Sequence, residues 1–269
     1  MRMHATARSI SRPVQERLLE QPFAARVLAV FDRVCDLVTP AGDVVALVTP
    51  HIGDGPLNVV VEAAVGCFAM IKPGMVAGLE KRAQRAASLL CIGELKVALE
   101  DAAVWEPCPD WGALRARRAS VGRGAGRDSI PSYAAELLRA GWEGDMVALR
   151  AGAARLAGLG GGLTPAGDDF LVGIMLWAWL AHPDPPVICR AIVEEAAPRT
   201  TTLSAAFLRA AGRGECSAAW HRFLAALTTG TEDELAAAVQ GVLAYGATSG
   251  ADALAGFLWI GIESRRPPD

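Results

Sequence analysis

The sequence predicts an α+β protein in which a small N-terminal antiparallel β-sheet precedes a mostly α-helical C-terminal body. The sheet is predicted from short β-branched runs, such as 44–48 and 59–61, that are separated by turns containing Pro or Gly. The helical body is predicted from a succession of Ala- and Leu-rich segments with short breaks, beginning at Ser132. A glycine-rich loop at 158–162 places the candidate site in that helical body.

The N-terminal part divides into an arm and a β-rich domain. Residues 1–23 are predicted as a loose arm with room for a short helix, and residues 24–104 as the β-rich domain. That domain is expected to begin with an antiparallel meander over 24–72. A helix is expected over 75–90, where apolar residues recur at helical spacing, and a half-buried strand over 94–99, where they alternate with polar ones.

A linker is predicted over 105–131, because periodicity is lost there and proline, glycine and arginine are frequent. A phosphate-attracting loop is the alternative, but a solvated connector is the commoner role of such stretches. Residues 132–269 form the predicted helical domain, which carries the glycine loop. Its helices are expected at 133–140, 145–159, 168–181, 186–197, 203–211, 216–227, 233–245 and 250–262.

The composition argues against several functional classes. With a net charge of −3, we expect neither a nucleic-acid nor a membrane partner. The longest apolar run, 170–181, is well short of the roughly 20 residues that a membrane span needs. The six cysteines contain no C-x-x-C pair and no signal peptide is recognised, which predicts a cytoplasmic protein with reduced thiols. The four histidines lack metal-ligand spacing, which argues against a zinc site.

The glycine loop and the helix predicted after it have the features of an anion site. Residues 158–173 read G-L-G-G-G-L-T-P-A-G-D-D-F-L-V-G. Glycines let backbone amides approach a ligand closely, and a helix N-terminus adds unpaired N–H groups and the positive end of the dipole. Asp168 and Asp169 do not suit a bare anion. They suit a metal-bound phosphate, a ligand that carries hydrogen-bond donors, or simple capping of the helix.

A second copy of part of this pattern occurs near the C-terminus. Residues 167–173 and 250–256 both read G-x-D-x-L-x-G, and both lie where a loop becomes an apolar helix. The last glycine of each copy, Gly173 or Gly256, falls inside a predicted helix, where glycine lowers stability unless another backbone packs close to it. We therefore expect the two helices to cross near these glycines and to present their N-termini to one cleft.

The carboxylates at the two helix starts have two interpretations of about equal weight. In the first, Asp168, Asp169 and Asp252 cap their helices and offset the dipoles. In the second they are catalytic residues, of which Asp169 and Asp252 hold a cation or orient a substrate that carries hydrogen-bond donors. Asp168 and Asp169 are also candidate ligands of Mg²⁺, the one cofactor considered. The candidate substrate-binding residues are amides and hydroxyls of the loop and nearby helix starts: Gly160, Gly161, Gly162, Thr164, Gly167, Thr201, Ser204, Ser249 and Gly250. For Thr201 and Ser204, helix capping is the favoured interpretation.

These motifs resemble those of the bacterial AllH-like family. The likeness rests on G-L-G-G-G-L-T-P-A-G-D-D-F-L at 158–171 and on T-S-G-A-D-A-L-A-G at 248–256, and it spans most of the chain from about residue 24. Gly161 and Ala166 stand where we would expect Pro and Ser in this family. The absence of that serine hydroxyl weakens any chemical role for position 166.

The resemblance implies a subunit of oxamate carbamoyltransferase, an enzyme of anaerobic allantoin degradation and purine catabolism. Such a subunit would help to move a carbamoyl group between carbamoyl phosphate and oxamate, as part of a larger hetero-oligomeric assembly. The chemistry needs a group that accepts a proton from the attacking nitrogen and donors that stabilise a tetrahedral oxyanion. Asp168 or Asp169 is the candidate proton acceptor, and the loop amides are the candidate oxyanion donors.

Two other functions stay open on the sequence alone. One is a Mg²⁺-dependent enzyme that handles phosphoryl groups or nucleotides through Asp168, Asp169 and Asp252. The other is a non-catalytic assembly subunit, in which the motifs only build helix crossings. A Ser–His–Asp hydrolase, a P-loop and a dinucleotide-binding fold receive no support, because the motifs that mark them are absent.

Overall fold

A computed structural model describes residues 3–19, 23–63, 66–81, 88–117 and 132–263. The chain divides into two compact units, Met1–Pro107 and Cys108–Asp269. Within the described residues, the first unit contains all the strands and one helix, and the second contains helices only. No described helix combines the length and the apolar character that crossing a bilayer requires.

The first unit is built from one sheet that closes on itself. Its elements are β1 (Met3–Ser11), α1 (Arg12–Leu19), β2 (Ala24–Val30), β3 (Val34–Val38), β4 (Val44–Val48), β5 (Asn58–Glu62), β6 (Val76–Lys81), β7 (Ser88–Ile92), β8 (Leu95–Ala98) and β9 (Ala103–Trp105). The strand order is β5-β4-β3-β2-β6-β7-β8-β1, and β1 also pairs with β5, so these strands form a closed barrel. Strand β9 adds to β1.

The predicted simple antiparallel sheet is therefore wrong. The strands form an eight-stranded barrel, and β1 runs parallel to both β8 and β9 while β4 runs parallel to β5. Strand β1 lies in the segment that was predicted as a loose arm. Its inward residues near the start are Ala5 and Ala7, which alternate with exposed polar residues. Alanine gives a weak hydrophobic signal, so the alternation did not stand out in the sequence.

The helix predicted over 75–90 is also absent from the described residues of that segment. Strands β6 and β7 lie there and pair antiparallel, with Leu79 opposite Leu90; residues 82–87 lie outside the described part. Strand β6 is paired on both edges, with β2 and β7. These ladders outweigh the helical propensity of the segment, as tertiary context often does. The strand predicted over 94–99 is confirmed as β8.

The second unit confirms the helices predicted after residue 132. They are α3 (Ser132–Trp142), α4 (Met146–Leu156), α5 (Ala166–Ala181), α6 (Pro185–Ala196), α7 (Thr202–Gly212), α8 (Ala218–Thr229), α9 (Glu232–Leu243) and α10 (Ser249–Glu263). A further helix, α2 (Trp111–Arg117), lies in the predicted linker. The side chain of Asp110 accepts from the Ala113 amide at its start, and Trp111 Nε1 donates to the Gly214 carbonyl. The rest of that linker, 118–131, is outside the described residues.

Helix α5 is the centre of the helical unit, and its predicted crossing with α10 is confirmed. A Cβ atom on Gly173 would lie 1.8 Å from the carbonyl oxygen of Ala253, and one on Gly256 would lie 2.0 Å from that of Phe170. The two backbones therefore touch at both glycines. The ring of Trp177 packs edge-on against Phe257 at 5.2 Å. Asp169 interacts with Asp252 near the helix starts, and Trp177 contacts Phe257 further along both helices. Helices α5 and α10 therefore run in the same direction, and their N-termini are neighbours.

Candidate functional site

The glycine loop connects α4 to α5 in a conformation that requires glycine. Gly158, Gly160 and Gly162 have φ angles of 70°, 120° and 89°, in the left-handed region that other residues rarely adopt. A Cβ atom on Gly158 would also lie 2.9 Å from the carbonyl oxygen of Arg199. Gly160, Gly161 and Gly162 are all exposed. The loop therefore presents its backbone to solvent.

The amides of this loop are available to a ligand. Within the described part of the chain, the backbone N–H groups of residues 160–164 donate no hydrogen bond. The Gly167 amide, in contrast, donates to the Leu159 carbonyl at 2.9 Å, which folds the loop back onto the start of α5. Successive free amides with alternating backbone conformations form the type of concavity that binds anions in many proteins.

Asp168 is fully engaged by the protein. It is 0% exposed, and it accepts from the Gly158 amide at 2.9 Å, from the Ser204 hydroxyl at 2.8 Å, and from the Thr200 hydroxyl. These bonds tie the first turn of α5 to the glycine loop and to the start of α7. Thr200 belongs to the hydroxyl-rich segment 199–204, from which only Thr201 and Ser204 were predicted as site residues. Its only signal was its place in the run of three threonines at 200–202.

The start of α7 is joined to the loop by a second set of bonds. Thr201 is the N-cap of α7, since its hydroxyl oxygen accepts from the Ser204 amide at 3.1 Å. The same hydroxyl donates to the carbonyl of Leu163 at 2.5 Å. Arg199 pairs with Glu195 on α6 at 3.0 Å. Helix capping, the favoured interpretation of Thr201, is what its contacts show.

Asp169 and Asp252 differ from Asp168, because each has a buried oxygen with no donor. Asp169 is 7% exposed, and its Oδ2 atom and that of Asp252 have no hydrogen-bond partner among the described residues. Burial raises the pKa of Asp169 to about 7; a hydrogen bond from Ser249 opposes this rise, and the charges of Asp252 and Asp168 add to it. The Ser249 hydroxyl also lies 3.0 Å from that of Thr164. These contacts connect the end of the loop to both helix starts.

The two glycines that precede these carboxylates are needed for packing. A Cβ atom on Gly167 would lie 2.1 Å from the carbonyl oxygen of Leu156, and one on Gly250 would lie 1.9 Å from that of Val242. Each glycine thus lets a helix begin against a neighbouring helix end. In the described residues, no group of three or more His, Cys, Asp or Glu is placed to hold a metal ion.

The raised pKa of Asp169 makes the stability of the helical unit depend on pH. The folded protein holds this proton more tightly than the unfolded chain. The contribution of the protonated carboxyl to stability is therefore full below its ordinary pKa of 3.8 and is lost as the pH rises through about 7. We expect the free energy of unfolding of the wild type to fall over this window relative to that of an Asp169→Asn variant, measured by urea denaturation at each pH.

A control for this measurement is already present in the chain. Burial also raises the pKa of Asp36, in β3, to about 7. That residue is unchanged in the variant, so its contribution cancels when the variant curve is subtracted from the wild-type curve. A difference that stays constant between pH 4 and pH 7 would contradict the assignment of the raised pKa to Asp169.

In comparisons with known proteins, two protein-family models match the chain, one in each of its two parts. The family model described as oxamate carbamoyltransferase subunit AllH matches residues 156–261. The model described as the AllH family N-terminal domain matches residues 6–104. The first match includes the glycine loop and most of the two crossing helices. No solved structure matches the chain.

Proposed function

Since the chain belongs to the AllH family, whose model is described as a subunit of oxamate carbamoyltransferase, we propose that it binds a small anionic substrate at its glycine loop. The substrate class is carbamoyl phosphate, oxamate or a similar acid, and further subunits complete the enzyme. The observation that carries the proposal is a run of backbone amides at 160–164, which donate no hydrogen bond to any described residue and lie beside the N-termini of α5 and α10. Amides and helix N-termini of this kind favour phosphate and carboxylate groups.

The transfer reaction gives Asp169 a role. The nitrogen of oxamate attacks the carbamoyl carbon, the bond from that carbon to the phosphate oxygen breaks, and the nitrogen loses a proton. A proton acceptor works best when its pKa lies near the working pH, and burial raises the pKa of Asp169 to about 7. The oxygens of Asp168 already accept three hydrogen bonds, so Asp169 is the better acceptor. The loop amides would stabilise the oxyanion that forms at the carbamoyl carbon.

A thermal-shift panel on the purified chain tests the proposal. The ligands are carbamoyl phosphate, oxamate, phosphate, ATP and ADP, each with and without Mg²⁺. A ligand present at 100 times its Kd stabilises a protein by about 2.7 kcal/mol, so we expect a clear rise in Tm with the first three ligands and no need for Mg²⁺. In the complex reconstituted with its partner subunits, Asp169→Asn should lower kcat by roughly 10²–10⁴-fold.

Asp145→Asn is the matched control for this variant. Asp145 caps α4 through the amides of Val147 and Ala148, and asparagine is about as good a cap as aspartate. Full activity of the Asp169→Asn complex would exclude the role as proton acceptor. Stabilisation only by ATP or ADP with Mg²⁺ would favour the nucleotide-handling alternative, and no stabilisation by any ligand would favour an assembly subunit.

A further inference from the structure

We infer that Asp169 and Asp252 together form a subsite for the N–H₂ group of the ligand. The subsite would make the protein select an acid that carries an amide over a dicarboxylate of the same shape. This inference rests on the proposed function, because it concerns the same ligand. It adds a determinant of specificity that anion binding at the loop does not supply.

The first step of the argument is the state of the two carboxyl groups. The Oδ2 atoms of Asp169 and Asp252 are both buried and have no donor among the described residues. Buried acceptors are nearly always hydrogen-bonded, and an unsatisfied buried acceptor destabilises the fold, more so when it is charged. Asp168, one residue before Asp169, has three donors from the protein. The lack of donors is therefore specific to Asp169 and Asp252 and does not extend to the neighbouring carboxylate.

The second step is that the fold holds the two groups near each other. The contacts at Gly173 and Gly256 fix the parallel crossing of α5 and α10, with Asp169 and Asp252 both in the first turns of their helices. The charge of Asp252 is one cause of the raised pKa of Asp169, in keeping with this placement. Two adjacent carboxylates are stabilised by a shared proton, a cation or a group with several N–H donors.

The third step is the position of the pair relative to the glycine loop. Ser249 hydrogen-bonds Asp169 and lies 3.0 Å from the Thr164 hydroxyl at the end of the loop. One small ligand with hydrogen-bond donors at one end and anionic oxygens at the other would therefore bind the Asp169–Asp252 pair and the glycine loop at the same time. Oxamate and carbamoyl phosphate each carry an N–H₂ group a few bonds from anionic oxygens. Oxalate has nearly the shape of oxamate but places a second carboxylate where the donors are needed.

The test is a comparison of oxamate and oxalate binding to the full chain by calorimetry at pH 8, with inorganic phosphate as a third probe. A site built around a hydrogen bond rejects an analogue that lacks the donor, so we expect wild-type protein to prefer oxamate by on the order of 10-fold or more. In Asp252→Asn the side-chain amide can donate to oxalate, and the preference should fall to about 3-fold or less. Asp145→Asn should keep the wild-type ratio.

A second measurement needs no variant and covers the case in which Asp252→Asn does not fold. As the pH falls from 8 to 6, Asp169 takes up a proton, so oxalate should bind more tightly and oxamate more weakly. The titratable groups that act on Asp169 are Asp168 on its own helix and Asp252 on α10. Parallel pH profiles for the two acids would overturn the inference.

The outcomes separate the inference from the proposed function. If oxamate and oxalate bind equally well, or if the ratio is unchanged in Asp252→Asn, the pair only shares a proton and the inference is overturned while anion binding stands. If none of oxamate, oxalate and phosphate binds, the proposed function itself fails. A preference for oxamate that collapses in Asp252→Asn, with phosphate binding retained, supports both.

Discussion

Replacing Gly173 with alanine is expected to destabilise the helical unit by about 3 kcal/mol or more, the upper part of the range for overpacked cores. The added Cβ atom would lie 1.8 Å from the Ala253 carbonyl oxygen and 2.6 Å from the Phe257 amide nitrogen. Both are backbone atoms, so no rotation of a side chain relieves the clash. Helices α5 and α10 would have to separate, which would expose the core that they share.

Gly241 provides the matched control, because it also lies inside a helix, α9, but a Cβ atom there would meet nothing within 4 Å. Gly241→Ala should stabilise the protein by roughly 0.5–1 kcal/mol, the usual gain inside a helix. Tryptophan fluorescence during urea denaturation reports on the unfolding of the helical unit, since all tryptophans except Trp105 lie after residue 107. Equal midpoints for Gly173→Ala and the wild type would show that the helices do not cross this closely.

Replacing Asp168 with alanine is expected to cost about 3–5 kcal/mol, because it removes a buried group that satisfies several donors at once. The change would leave the Gly158 amide and the hydroxyls of Thr200 and Ser204 without their acceptor. It would also release the glycine loop from the starts of α5 and α7. The measurement is again the midpoint of urea denaturation.

Asp145→Ala is the control variant against which the destabilisation by Asp168→Ala is compared. Asp145 is an exposed N-cap with two backbone donors, and its loss should cost about 1 kcal/mol, the typical value for a cap. A cost for Asp168→Ala no larger than that for Asp145→Ala would show that Asp168 is an ordinary helix cap rather than the link between three segments.

The helical unit was predictable because its signals are local. Helical spacing and short breaks placed each helix after residue 132, and the two interior glycines of the repeated motif indicated the crossing of α5 and α10. The barrel was not predictable in the same way, since β1 is defined by partners far along the chain. The short helix α2 was missed because its stabilising contact with Gly214 lies outside any local window.

In the candidate site, too, local sequence signals did not predict the contacts of single residues. Asp168 and Asp169 are adjacent, and the sequence offered both as the proton acceptor. Consecutive helical positions face directions about 100° apart. Here Asp168 faces three donors, while one oxygen of Asp169 has no donor in the part of the chain that the structure describes. The contribution of Thr200 depends on a contact with Asp168, on another helix, that no spacing rule gives.

The closure of the barrel through β1 also has a consequence for the kinetics of folding. Thr6 pairs with Glu62 on one side and with Ala98 on the other. The hairpins β2–β3–β4 and β6–β7–β8 join strands that are close in sequence, so they can form early, but β1 must wait for partners made dozens of residues later. Such long-range contacts slow folding because the intervening chain must be ordered first. Barrel closure is accordingly the late step of folding. Before closure, while the chain is being synthesised, the edges of β5 and β8 that later pair with β1 are exposed and can pair with other strands.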